Sequence, residues 1–387
     1  MNRPSILTFT RNYLPGYRAG GPVRSLVNMV DRLGRHLSFK IVTSDRDVND
    51  SGPYPDVVIN QWIDIGLARI YYVNRDQLTV RRIAALIRES AHDTIYLNSF
   101  LDPIFTQRVL VARLLGQFPD TPVVLAPRGE LSQGAWKFKR FRKHAFLLAS
   151  RAIGLHDGII WQASSALEEN EIRSMIPNAR TVVAMNLAPS AQDLPPLSPA
   201  PHRVPGSPLR VCFLSRISPK KNLDFALTVL QDVKCRVDFT VYGPIGEDAY
   251  WNYCQSIALA LPNNIAFKYG GPLEPSVIPA VLGQQDLFFL PTHGENYGHV
   301  IFEALSVGLP VLINDTTPWQ NLESEGIGWA FPISAKELFG QTITNVSTWD
   351  VEKFQRVSSR ARRFALERSL DPVALESNRT LFTSCMT

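Results

Sequence analysis

The sequence predicts two α/β domains, each a doubly wound parallel sheet with helices on its faces. Three observations carry this. Short apolar runs rich in β-branched residues alternate with helical patterns along the chain, the mark of βαβ units. The alternation stops once, at LAPSAQDLPPLSPAPHRVPGSP, Leu187 to Pro208, which is dense in proline and has no periodicity. A length of 387 residues also suits two such domains.

In the first half, strands are expected at Ile6–Thr10, Phe39–Thr43, Arg69–Val73, Thr94–Leu97, Val123–Ala126, Gly158–Gln162 and Thr181–Ala184. Helices fall between them, as at Val23–Leu33 and Gln107–Leu115. Leu187–Pro208 reads as a linker or long loop. After it, strands are expected at Arg210–Leu214, Asp238–Tyr242, Ala266–Tyr269, Leu287–Leu290 and Val311–Ile313. The tail from Val351 is helical and charged. In open sheets of this kind, ligands bind beyond the carboxyl ends of the strands.

Composition narrows the function classes. Hydrophobic residues make up 45% and charged residues 19%, as in soluble globular proteins. No apolar run approaches the roughly 20 residues that span a bilayer, and the N-terminus reads as no signal peptide. Cys212, Cys235, Cys254 and Cys385 lack metal-ligand spacing, and a reducing, cytoplasmic setting is expected. The net charge of +5 is mild, and no nucleic-acid motif accompanies it, so nucleic acid is not an expected partner. Basic residues do concentrate in WKFKRFRKHAFLL, Trp136 to Leu148, among aromatic and aliphatic ones. That segment reads equally as an anionic membrane-surface element or as a solvated basic helix.

The richest stretch is PTHGENYGHVIFEALSVGLPVLINDTTPW, Pro291 to Trp319. Glu295 lies in a glycine-bounded loop, Gly294-Glu295-Asn296-Tyr297-Gly298, just after an apolar strand. Glu303 lies eight positions on, in a helix of mostly apolar residues, where a carboxylate is costly unless hydrogen-bonded. Glycines allow tight turning and close approach of a ligand. The helix N-terminus directs free amides and a positive dipole end at the same loop. Such a site suits a sugar nucleotide: carboxylates accept from hydroxyls and amides hold phosphate.

The Glu295-x7-Glu303 spacing, with the EALSVGLPV and TPW that follow, resembles the donor site of retaining glycosyltransferases of the GT-B fold. This is the large family that includes many bacterial polysaccharide and lipopolysaccharide sugar transferases. The resemblance implies two Rossmann-like domains facing each other across a cleft. It implies an acceptor-binding domain over 1–190 and a donor-binding domain over 205–369, with part of the helical tail, 370–387, packing on the first domain. It further implies transfer of a sugar from a nucleotide diphosphate sugar to a hydroxyl of a glycan or lipid-linked glycan, with retention.

Other residues take expected roles from it. LSRISPKKNLDFAL, Leu214 to Leu227, places Arg216 and Lys221 around a turn, similar to the family's pair that grips the donor diphosphate. Fixed cations there stabilise the charge that develops on the leaving group. Lys220 is adjacent, so either lysine can face the phosphates, and Asn222 stands where the family often has glycine. Gly20 and Gly21, after the first strand, match a phosphate-facing loop; Arg18 and Arg24 can add charge. Gly243 and the Gly270-Gly271 pair end two further strands and either line the nucleotide pocket or serve as packing turns. Arg128 and Glu130 follow a first-domain strand where family members often carry histidine. Glu130 either orients an acceptor hydroxyl or pairs with Arg128 as structure. His293 and His299 flank Glu295, and a lone histidine is more often structural than catalytic. Asp45 and Asp47 form the one Asp-x-Asp, far from the donor elements, so neither a metal nor another cofactor is expected. Two readings stay open beside transfer: a sugar-nucleotide epimerase or hydrolase of the same fold, and a non-catalytic sugar-nucleotide-binding protein of a polysaccharide assembly. The expected location is cytoplasmic, or peripheral on the inner face of the cell membrane.

Overall fold

The computed structural model describes residues 3–132, 140–197 and 206–383. The chain divides into two compact units, Met1–Ser190 with Asp371–Thr387, and Ala191–Leu370.

The first unit is built on eight strands: β1 (Ser5–Phe9), β2 (Ser38–Ser44), β3 (Trp62–Ile65), β4 (Ala68–Val73), β5 (Thr94–Asn98), β6 (Val123–Ala126), β7 (Ile160–Ala163) and β8 (Arg180–Val183), in the order β3-β4-β2-β1-β5-β6-β7-β8. All pairs are parallel except β3 with β4. The period-two alternation of strand residues feeds two cores. Leu7, Phe9, Ile95 and Leu97 face one, and Ile6, Tyr96 and Val124 the other. Burial on both faces is why these strands read as continuous apolar runs. The antiparallel β3 lay outside the sequence reading. A two-residue turn, Gly66-Leu67, joins it to β4, with Gly66 at φ 57°, as a tight hairpin requires. The strand itself is only half-buried, so it carries little apolar signal.

The helical tail is two helices, Val351–Leu370 and Pro372–Thr383. Pro372 suits a first helical position. The Asp371 carboxylate accepts from the N–H groups of Val373 at 2.9 Å and Ala374 at 3.3 Å. The second helix seats Phe382 edge-on against Phe39 and Tyr96, with centroids at 6.3 and 5.2 Å, inside the first unit's core. The start of the proline-rich stretch is not free linker. Leu187 and Ala188 are buried, and their carbonyls accept from Asn28 Nδ2 at 2.8 Å and Arg32 Nη1 at 3.2 Å. Residues 198–205 lie outside the described residues.

The second unit has six strands, β9 (Leu209–Leu214), β10 (Val237–Tyr242), β11 (Ile265–Gly271), β12 (Leu287–Leu290), β13 (Val311–Asn314) and β14 (Gly328–Phe331). They are parallel, in the order β11-β10-β9-β12-β13-β14. The buried Asp286 fixes the register of β9 against β12. It accepts from Arg210 N–H at 2.9 Å and pairs with the Arg210 guanidinium at 2.8 Å. The half-buried edge strand β14 was also outside the sequence reading. Both units are thus Rossmann-like α/β sheets. No helix among the described residues is long and apolar enough to cross a membrane.

One core group ties stability to pH. His156 is 8% exposed and lies against Phe100, Phe146 and Trp161, with neither ring nitrogen partnered. Burial pushes its pKa down from 6.5 to about 4, with a small opposing pull from Asp157. A neutral histidine in the fold and a protonatable one in the unfolded chain favour folding fully only above pH 6.5. That advantage is lost as pH falls from 6.5 towards 4, by about 3 kcal/mol across the window. Chemical denaturation at pH 7 and pH 4.5 should show His156→Leu losing less stability on acidification than the parent. Equal losses would remove His156 from the pH dependence.

Candidate functional site

In the second unit the strand order reverses between β9 and β12. Neighbouring strands there send their chains to opposite faces, which opens a crevice beyond their carboxyl ends. The segments leaving those two strands are Ser215–Asn222 and Pro291–Gly298. They hold Arg216 and Lys221 on one side and Glu295 on the other, so topology alone brings these residues together.

The two segments are tied at several points. Lys221 Nζ forms an ion pair with Glu295 Oε1, with the side chains 20% and 12% exposed. His293 N–H donates to the Lys220 carbonyl at 2.9 Å, and Thr292 Oγ1 to the same carbonyl at 3.2 Å. Asn222 Nδ2 donates to the Pro291 carbonyl at 3.0 Å. Lys221 is therefore the lysine whose ammonium meets Glu295, while the Lys220 carbonyl serves the loop. Asn222 sits at φ 62°, ψ 42°, in the left-handed region, between the turn Pro219–Lys221 and the helix Leu223–Asp232. Asparagine is among the few non-glycine residues that adopt this conformation readily. It replaces glycine's freedom with a side-chain bond across the crevice. Arg216 is exposed and unpaired among the described residues. Its methylene stem lies along Gly246, where an added Cβ would stand 3.1 Å away.

The loop around Glu295 is held by backbone constraint. Gly294 has φ +152° and Gly298 φ +79°, and a Cβ on Gly298 would stand 2.9 Å from Ile301 Cδ1. Gly298 begins the helix His299–Ser306 and offers no capping side chain. Asn296 and Tyr297 are half-buried between these glycines. The Tyr297 ring packs against His299 at 4.7 Å and Trp319 at 5.5 Å. His293 is exposed. Glu303 is not buried as its apolar neighbours suggest. Ile301, Phe302, Ala304 and Leu305 turn inward, while His299, Val300 and Glu303 are half-buried. Spacings of three and four residues put these last on one stripe of the helix, so the carboxylate stays near solvent.

Gly243 follows β10 at φ 128°, where a Cβ would stand 2.0 Å from the Ser215 carbonyl oxygen. Close approach of two backbones at the segment bearing Arg216 demands glycine there.

In the first unit, Gly20 has φ 70° and precedes the helix that starts at Gly21. The loop before it is organised by Asp47, whose carboxylate accepts from the N–H groups of Tyr17 at 2.9 Å, Arg18 at 3.1 Å and Val48 at 2.7 Å. Asp45 pairs with Arg46 at 2.8 Å. Both acids of the Asp-x-Asp triplet are thus engaged in structure. Arg128 and Glu130 do not pair with each other. Glu130 accepts from Ser99 Oγ and Leu101 N–H, each at 2.7 Å, and burial raises its pKa against those hydrogen bonds. Arg128 turns instead to Asn98, Tyr96 and Asn186. The two side chains part because the backbone at Arg128 and Gly129 is left-handed, at φ 55° and 74°.

Sequence reasoning assigned no role to Trp319 or Asn314. Trp319 Nε1 donates to the Tyr297 carbonyl, and Asn314 Nδ2 donates to the Thr292 carbonyl at 2.9 Å. They reach back, Asn314 from the end of β13 and Trp319 from the segment after it, to hold the Glu295 loop. A polar residue ending an apolar strand, as in VLIN, is the signal that marks Asn314.

Residues 197–364 match the family described as Glycosyl transferases group 1. A protein of Escherichia coli (strain K12) named as a colanic acid biosynthesis glycosyltransferase, WcaL, is 24% identical over 178 residues, 44% of either chain. A Mycolicibacterium smegmatis GDP-mannose-dependent alpha-(1-6)-phosphatidylinositol monomannoside mannosyltransferase is 32% identical over 114 residues, covering 27% of this chain and 29% of that protein. These matches thus span less than half the length of the curated relatives. Among solved structures, Anabaena Alr3699/HepE in complex with UDP and glucose superposes with a TM-score of 0.68 at 17% identity, covering 99% of each chain. A Burkholderia xenovorans alpha,alpha-trehalose-phosphate synthase (UDP-forming) gives 0.70 at 10% identity over 100% of each. The whole chain therefore has the two-domain fold of GT-B glycosyltransferases.

Proposed function

We propose that this protein transfers a sugar from a nucleotide diphosphate sugar to a hydroxyl of a glycan or lipid-linked glycan, with retention and without a divalent metal, in bacterial surface polysaccharide synthesis. The observation that carries the reading is the meeting of Lys221 and Glu295 at the switch point of the second unit. The group 1 match covers the same residues. The names of the partial relatives point to polysaccharide and lipid-linked acceptors.

In this reading Arg216 and Lys221 take the diphosphate. Their charge opposes the negative charge that grows on the departing group, in a site whose dipoles are already fixed. Glu295 meets the transferred sugar and Glu303 accepts from ribose hydroxyls. Gly294, Asn296, Tyr297 and Gly298 shape the donor loop. The Lys221–Glu295 pair is the resting state: a donor diphosphate takes over the ammonium and releases the carboxylate to sugar hydroxyls. Epimerase or hydrolase action, and nucleotide binding without turnover, differ from this in consuming no acceptor.

Kinetics test the assignment. Arg216→Ala and Lys221→Ala should each lower kcat/KM by roughly two to three powers of ten, the usual loss for one preorganised stabiliser. EDTA should have little effect, and the product should keep the donor's anomeric configuration. Activity abolished by EDTA and restored by a divalent metal would overturn the role of the two cations.

We propose further that the region 136–148 docks on an anionic membrane surface. Residues 133–139 lie outside the described residues. The helix Arg140–Ala152 exposes Leu148 at 65%, and Ile153, just beyond it, is 56% exposed. Ile153 shares a surface depression with Leu114 and Arg113. Apolar side chains beside cations suit a headgroup boundary, where each Lys or Arg contributes about 1 kcal/mol. Co-sedimentation with anionic liposomes should fall with salt, and again when Lys137, Lys139, Arg140 and Lys143 become Gln. Undiminished binding by the folded quadruple variant would leave the segment a solvated helix.

A further inference from the structure

Beyond the ends of β5, β6 and β8, the first unit holds a half-buried cation whose hydrogen-bond partners are all neutral. The Arg128 guanidinium donates through Nε to Asn98 Oδ1 at 2.6 Å, through Nη2 to the Tyr96 hydroxyl at 2.6 Å, and through Nη1 to Asn186 Oδ1. A guanidinium carries five N–H groups, so these three bonds leave two unused. None of the three partners is charged. The Glu168 carboxylate, whose charge is felt at Tyr96, spends its oxygens on Gly129 N–H and on the N–H and hydroxyl of Ser164, at 2.6–2.7 Å.

The two asparagines make the cluster unusual. Asn98 and Asn186 are each 4% exposed, and the Nδ2 atoms of both have no hydrogen-bond partner. A buried donor left without a partner costs stability, and native structures hold few of them. Here two stand beside one guanidinium, since each amide nitrogen is geminal to the oxygen that Arg128 binds. The cluster therefore has a surplus of donors and of positive charge, and a shortage of acceptors.

The position is also held rigidly. The Tyr96 hydroxyl donates to Gln162 Oε1 at 2.6 Å, and Gln162 Nε2 donates to the Ala184 carbonyl at 2.9 Å. Asn378, on the terminal helix, donates to the neighbouring Met185 carbonyl at 2.6 Å. This relay fixes the inner face of the guanidinium. Arg128 itself is only half-buried, so part of the residue meets solvent.

We propose that the first unit binds an oxyanion, a phosphoryl or carboxylate group, at Arg128 with the amides of Asn98 and Asn186. An oxyanion supplies the acceptors that the cluster lacks and the charge that Arg128 is missing. Planar bidentate recognition of such groups is what a guanidinium does best. Small rotations bring in the amide nitrogens, which have no bonds to lose. Under the glycosyl-transfer reading, the oxyanion belongs to the acceptor, as an acidic sugar or a phosphorylated glycan carrier. The site itself does not depend on that reading.

Asn186→Asp is the informative variant. It keeps the shape, gives Arg128 a carboxylate partner and cancels the surplus charge. Asn98→Asp does the same from the other side, should the first not fold. Thermal shift and calorimetry would use inorganic phosphate and glucuronate as probes, on the parent, on Asn186→Asp and on Arg216→Ala. The parent and Arg216→Ala should bind at least one probe. Asn186→Asp should be as stable as the parent or more so, yet bind about tenfold or more weakly, the weight of a charge-assisted hydrogen bond. Which probe binds tells a phosphorylated from a carboxylated ligand. Binding unchanged in Asn186→Asp, binding lost only in Arg216→Ala, or no binding of either probe by the parent would overturn the proposal. Nucleoside diphosphate affinity, measured in parallel, tests the donor assignment separately and should not change in Asn186→Asp.

Discussion

The tether between the segments that follow β9 and β12 is the constraint on which the second unit's site depends. Reversal of strand order opens a crevice there, and an open crevice between two loops has no intrinsic shape. The Lys221–Glu295 pair, the Asn222 bond to the Pro291 carbonyl and the His293 bond to the Lys220 carbonyl supply that shape. Asn314 and Trp319 extend the tether to the end of β13 and the segment after it. The adjoining strands are buried on both faces, so the loops start from rigid ends. A charged pair with one-fifth or less of each side chain in water is held by geometry as much as by attraction, because desolvation offsets much of the Coulomb gain. Its value here is positional: it holds an ammonium and a carboxylate together at the mouth of the crevice.

The first unit uses a different device. A polar relay runs from Arg128, beyond the end of β6, through Tyr96 of β5 to Gln162 of β7, with the terminal helix closing against the same core. Asp47 and Glu130 spend their charge on backbone N–H groups of loops. Carboxylates satisfied this way shape loops and leave the cation as the group with unmet capacity.

Much of the fold was legible because both sheets are parallel and buried. Runs such as VVLA and LFFL have one reading once they alternate with helices, and β6 and β12 lie at Val123–Ala126 and Leu287–Leu290 as the pattern predicts. The half-buried strands β3 and β14 were not legible, because hydrophobic periodicity reports burial rather than hydrogen bonding. Nor was the break at Asp371-Pro372, where a helical pattern continues through a proline that starts a new helix. In the site, chain order places Arg216, Lys221 and Glu295 after strands, and sheet order brings those strands together. The half-exposed place of Glu303 was not legible because helix composition does not say which stripe faces out. Arg128 follows β6, while its partners come from β5 and from the segment after β8 and are close only in three dimensions, so no local spacing reveals them.

Exchange of Glu295 between Lys221 and the donor sugar is the central claim, and calorimetry beside turnover tests it most directly. Glu295→Gln removes the carboxylate and leaves the ammonium free. Affinity for the nucleoside diphosphate of a donor, chosen from a panel of sugar nucleotides by thermal shift, should then be kept or improved. Turnover with the intact donor should fall by about a hundredfold or more, the scale of one lost transition-state contact. Parallel losses in diphosphate affinity and turnover would contradict the account and make Glu295 a residue that only holds the loop.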